Sequence, residues 1–239
     1  MENIPLAGWL MLALTLACVA IVTIGLNRAL LRTGWQAERR RKIFTLTVLG
    51  IDSWLFLLAI LAVSGVFSDF STVPPKVVLV PLTGIFISLL VTFSKWFTDL
   101  LRVLPRHWLV YFQSFRIPVE LLLWFAFSKG LIPVQMTFEG YNFDVLSGIL
   151  ALPAGWALAT GKPYAKTLGI AYNIVGLLLL ANIVTIAVLS MPTPLRQFMN
   201  EPANTIVATF PFIYLPGVLV VLAFAFHAFS LRQLLRRNH

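Results

Sequence analysis

Cysteine and charge are what this chain has least of. One cysteine, Cys18, stands in 239 residues, which excludes an internal disulfide and a thiolate metal cluster. Nine residues are acidic, and no two aspartates fall within four positions of one another, so the paired acidic motif that holds magnesium and a diphosphate is missing. No lysine occurs between positions 206 and 231, which removes the Schiff-base anchor a retinal protein needs in its last helix. Ser64-Gly65 and Ser147-Gly148 lack the glycine two residues earlier that intramembrane serine proteases carry. No catalytic motif remains, so the chain is not read as an enzyme, and no cofactor or metal is expected.

What the chain has instead is apolar surface. Hydrophobic residues make up 59% of it, charged residues 11%, and the mean hydropathy is +0.89. Water would not tolerate that surface, whereas lipid does. A hydrocarbon core of about 30 Å takes about 20 helical residues to cross. Apolar stretches at 5–27, 43–67, 77–101, 108–127, 143–160, 168–190 and 206–231 predict an all-α fold, a single membrane domain of seven transmembrane helices. The runs are continuously apolar rather than alternating, which favours helices over a barrel.

The loops orient this bundle. Of eighteen Lys and Arg, thirteen fall in alternate connections: Arg28, Arg32, Arg39, Arg40, Arg41, Lys42, Arg102, Arg106, Lys162, Lys166, Arg232, Arg236 and Arg237. The other connections hold Lys76, Lys129 and Arg196. By the positive-inside rule the N-terminus is expected outside and the C-terminus in the cytoplasm. The first stretch lacks a basic leader and is read as a retained helix rather than a signal peptide. The net charge of +9 is then explained by loops that meet anionic headgroups. The lipid bilayer is the expected partner and nucleic acid is not.

Charges inside the spans carry the functional information, because each costs about 2.5 to 3.5 kcal/mol at a helix centre on insertion scales. Asp52 and Arg116 are predicted near mid-membrane. Gln113, Arg116 and Glu120 share one helix face, and Pro118 between the charges frees a carbonyl about one turn earlier. Asn173, Asn182 and Tyr214, the last between Pro211 and Pro216, could add polar groups. The expectation is a buried site for a small polar or anionic solute, with Arg116 as anchor and Asp52 or Glu120 as the coupling carboxylate. The alternative is a sensor or assembly protein in which the buried charges only brace the bundle.

A second polar group lies at the outer face. The segment 136–144 (MTFEGYNFD) carries Glu139, Asn142 and Asp144, and 191–204 (MPTPLRQFMNEPAN) adds Arg196 and Glu201. Together they are read as an outer vestibule. His107, His227, Asp99 and Lys95 are expected at similar depth near the inner face. Ala7-Gly8-Trp9 and Ala154-Gly155-Trp156 echo the repeat of seven-helix sugar transporters, but their depths differ and the Pro-Gln motif is absent. FRIPVE at 115–120, MTFEGYNFD, NEPAN and PFIYLP together resemble segments of an uncharacterised family of bacterial seven-helix inner-membrane proteins. That resemblance covers helices four to seven and implies inner-membrane location without an activity.

Fusion reporters check the topology. Alkaline phosphatase joined after Asn200 should be active and the same enzyme at the C-terminus inactive; the reverse pattern would invert the orientation.

Overall fold

The computed structural model describes residues 4–236, so Arg237 lies outside it. All described elements are helical: α1 (Leu6–Leu31), α2 (Ala37–Val63), α3 (Lys76–Phe93), α4 (Lys95–Val103), α5 (Arg106–Phe112), α6 (Arg116–Ser128), α7 (Val145–Ala159), α8 (Ala165–Leu189) and α9 (Val220–Leu235). A 3₁₀ turn, Gln113–Phe115, joins α5 to α6, and a π-helical turn, Leu215–Leu219, leads into α9. Pro5, Pro75 and Pro105 open α1, α3 and α5 in extended conformation. There the missing proline N–H costs no helical bond.

Among the described residues, six helices are long and apolar enough to cross a membrane: α1, α2, α3, the continuous Arg106–Ser128, α8 and Leu215–Leu235. The stretch expected at 143–160 forms α7, a shorter apolar helix of 15 residues. At 1.5 Å per residue that is about 22 Å, less than the hydrocarbon thickness.

Two other expected spans differ in detail. The stretch 77–101 breaks at Ser94, whose backbone is extended and whose hydroxyl donates to Val91 O at 2.8 Å. Beyond the break, Lys95, Asp99 and Arg102 form a polar stripe while Phe97, Leu100 and Leu101 are buried. Such an amphipathic helix belongs at an interface rather than in hydrocarbon. The stretch 206–231 begins with a 3₁₀ turn at Ile206–Ala208 and becomes a span only at Leu215. Pro211 and Pro216 each lack the N–H that an uninterrupted helix would use.

Packing ranks the helices. α9 is central, contacting α3, α5 and α8, and α7 packs on α5, α6 and α8. α2 is peripheral and buries only Leu58 and Ala62. Most basic residues of the connections, among them Arg32, Arg232 and Arg236, gather at one end of the bundle, the basic end. The segments 129–144 and 190–214 cover the other, the capped end.

Candidate functional site

Arg116 begins α6 and is 2% exposed. A guanidinium there must have its donors satisfied within the protein. Asp144, immediately before α7, takes two of them. Arg116 Nε donates to Asp144 Oδ2 at 2.6 Å, and Nη2 meets Oδ1 in a bidentate pair. Arg116 Nη1 has three further acceptors: Ser147 Oγ at 2.8 Å, Gly176 O at 3.2 Å and His227 Nε2 at 3.1 Å.

The hydrogen bonds continue toward the basic end with a fixed direction. Because His227 Nε2 accepts from Arg116, its proton sits on Nδ1 and is donated to Asn173 Oδ1 at 2.8 Å, making the imidazole neutral. Asn173 Nδ2 then donates to Gly169 O at 2.6 Å and Ser230 Oγ at 2.9 Å. α6, α7, α8 and α9 are thereby joined by one polar chain.

Two close approaches make this geometry possible. A Cβ on Gly148 would stand 2.9 Å from Ile117 N, so only glycine lets α7 bring Ser147 against the first turn of α6. A Cβ on Gly176 would overlap the His227 ring, so only glycine leaves its carbonyl open to Arg116.

Glu120, one turn beyond Arg116 and 1% exposed, is not part of that pair. Asn142 Nδ2 donates to its Oε2 at 2.7 Å and also to Met136 O at 3.0 Å, while Asn142 Oδ1 accepts from Asp144 N at 3.0 Å. The capped-end segment therefore dips into the bundle and supplies both Asn142 and Asp144 to the buried charges.

Beside this chain lies a cleft of about 130 Å³ between α3, α6, α8 and the π-helical start of α9. Arg116, Glu120 and Asp144 are its only charged wall residues; the others are apolar, among them Val77, Pro81, Leu123, Ile183, Ala187 and Pro216. α3 and α8 both pack on α9 and barely touch one another. The cleft reaches the outer surface at Leu82, which is 53% exposed.

The chain belongs to the family described as Domain of unknown function (DUF8737). The family model matches residues 74–235. Within the family region lie the whole polar chain and every residue of the cleft, whereas α1, α2 and Asp52 precede it. No curated protein and no solved structure matches.

The residues singled out from the sequence separate into groups. Arg116 and Glu120 line the cleft. Gln113 is fully buried and donates to Ala223 O at 2.9 Å, with its Oε1 unpartnered. Tyr214 is buried and donates to Leu55 O at 3.1 Å, holding α2. Asp52 sits exposed on α2, away from Arg116. Asn182 is exposed and donates to Tyr141 O at 2.8 Å.

The expected vestibule divides likewise. Asn142 and Asp144 point inward, whereas Glu139 is exposed and accepts from Trp124 Nε1 at 2.6 Å. Arg196 pairs with Glu201 at 3.0 Å. The Arg196 hydrogen bond, together with the Ala203 N–H, holds the exposed Glu201 carboxyl below its usual range. His227 lies deep in the bundle, apart from His107, which meets Tyr111 edge-on. Asn173, expected to add a polar group to this interior, bonds His227 and Ser230; Ser147 and His227 are the members whose part sequence reasoning missed. Their signal was a small or polar residue on each helix flanking Arg116.

Removing one partner of a buried pair strands the other charge, at about 3 to 5 kcal/mol. Asp144→Leu should therefore cost about that much in denaturant unfolding. Adding Arg116→Met should recover much of the loss; strictly additive losses would mean the two side chains are not coupled.

Proposed function

We propose that this protein is a binding protein of the bacterial inner membrane that holds a small molecule in the cleft beside Glu120, with the Arg116–Asp144 pair as a fixed brace. The sequence reading put an anionic solute on Arg116. Asp144, Ser147, Gly176 and His227 occupy most of the donors of that guanidinium, which moves the recognition role to Glu120. The single observation that carries the proposal is that Glu120 is buried, lines the cleft and has only Oε2 engaged. A buried carboxylate oxygen aimed into a cavity is costly unless something fills the place opposite it. The π-helical turn at Leu215–Leu219 forms part of the same wall, and such turns are frequent at functional sites.

The seven-helix, N-outside arrangement belongs to this reading. α7 makes a short seventh crossing shielded by α5, α6 and α8, and the basic end faces the cytoplasm.

A second reading, sensing through the capped end, is favoured by Asn142. This one side chain contacts Glu120, Met136 and Asp144, so a ligand that displaced it from Glu120 would loosen the segment 130–144. Movement of a solute across the whole membrane has less support, because the polar chain below the cleft is filled by side chains.

Native mass spectrometry of the protein extracted from its own membrane tests the binding reading. A discrete bound mass is expected on the wild type and is lost in Glu120→Gln, which still unfolds cooperatively. A wild type that carries nothing, or a variant that carries the same mass, would refute it.

A further inference from the structure

The walls and the charge balance of the cleft point to the chemical class of its occupant. The inference rests on the binding reading above and narrows it.

The charge balance comes first. Arg116 and Asp144 cancel in their bidentate pair, and His227 is neutral because one ring nitrogen accepts from Arg116 while the other donates to Asn173. No described lysine, arginine or histidine lies within ion-pair distance of Glu120. Glu120, which lines the cleft, is therefore without a counter-charge, and its Oε1 has no described hydrogen-bond partner. A cationic donor is the complementary group.

The walls supply the second part. Apart from the three charged residues, the cleft is lined by hydrocarbon and by proline rings. A cleft walled almost wholly by hydrocarbon favours an apolar guest, which argues against a hydrated polar solute. The route in runs between α3 and α8 past exposed Leu82 and the half-buried Ile85 and Val184. These helices cross the hydrocarbon, so the approach is from lipid rather than from water. Cleft residues come from the first half of α3 and the last half of α8, which places the chamber in the leaflet next to the capped end.

We infer that the cleft takes a single-chain amphiphile with a protonated amine head, entering sideways from the bilayer, its ammonium on Glu120 Oε1 and its alkyl chain between α3 and α8. The head replaces the missing counter-charge. The chain extends the apolar contacts of Val77, Pro81, Ile183 and Ala187.

The test uses the full chain in phosphatidylcholine nanodiscs. Thermal unfolding is followed during titration with dodecylamine, dodecan-1-ol or dodecanoate, since a ligand of the folded state raises its apparent stability. The amine is protonated at neutral pH, as a lysine side chain is. Wild type is compared with Glu120→Gln and with Ala187→Trp, which fills the cleft without touching the polar chain; each variant is first shown to unfold cooperatively without ligand.

Dodecylamine should bind wild type at least tenfold more tightly than dodecan-1-ol, and dodecanoate more weakly than either. Glu120→Gln should remove the amine preference, and Ala187→Trp should abolish binding of both. Equal affinities for amine and alcohol on wild type would overturn the inference, as would tighter binding of dodecanoate or an amine titration that neither variant changes. If the amphiphiles fail while a co-purified mass is still lost in Glu120→Gln, the inference falls and the binding reading stands. If that mass is absent or insensitive as well, both fall.

Discussion

The bidentate pair between Arg116 and Asp144 is the constraint around which the rest of this bundle is arranged. A guanidinium buried within an apolar bundle cannot be left unpaired, and the carboxylate that answers it comes from a segment between helices rather than from a facing helix. That origin explains why 130–144 folds inward at the capped end, and why α7 starts deep in the bundle. It also explains why α7 lies so close to α6 that Gly148 is needed at their contact. α8 then contributes a carbonyl through Gly176, and α9 contributes His227. Four helices are held in register by the donors of one side chain.

The same pairing decides what is left over. With Asp144 committed to Arg116, Glu120 has an amide partner in Asn142 and no cation, at the edge of a cleft whose remaining walls are hydrocarbon. A buried carboxyl and an apolar cleft side by side define a narrow set of guests. The Asn142 bridge also means that the capped end and the cleft are not independent: the side chain that touches Glu120 holds the turn of the segment above it. Binding within the membrane and a change at its surface can therefore be one event.

Much of the fold was legible in the sequence, because apolar length and basic loops report directly on lipid burial. Of the seven stretches read as spans, six correspond to described helices long and apolar enough to cross a membrane, and Arg116 and Glu120 stand out as charges within an apolar stretch. What composition could not reveal was where helices stop being spans. Ser94 breaks one helix because Lys95, Asp99 and Arg102 need water. The start of the last span is delayed by Pro211 and Pro216. Pairing was less legible still. Asp52 looked like the partner of Arg116 because both lie at mid-depth, but depth says nothing of which way a helix face is turned, and Asp52 faces outward. Asn142 and Asp144 read as loop residues because their segment is rich in turn formers. Only the re-entry of that segment makes them interior.

Collisional relaxation of a nitroxide at the cleft tests the central claim most directly, namely that the Arg116–Asp144 brace leaves a dry chamber open to lipid. The label is placed at Val184→Cys after Cys18 is replaced by alanine, in nanodiscs. The account expects strong relaxation by molecular oxygen, which concentrates in hydrocarbon, and negligible relaxation by a water-soluble nickel chelate. Strong relaxation by the chelate and weak relaxation by oxygen would mean that the cleft is aqueous, and would contradict the account.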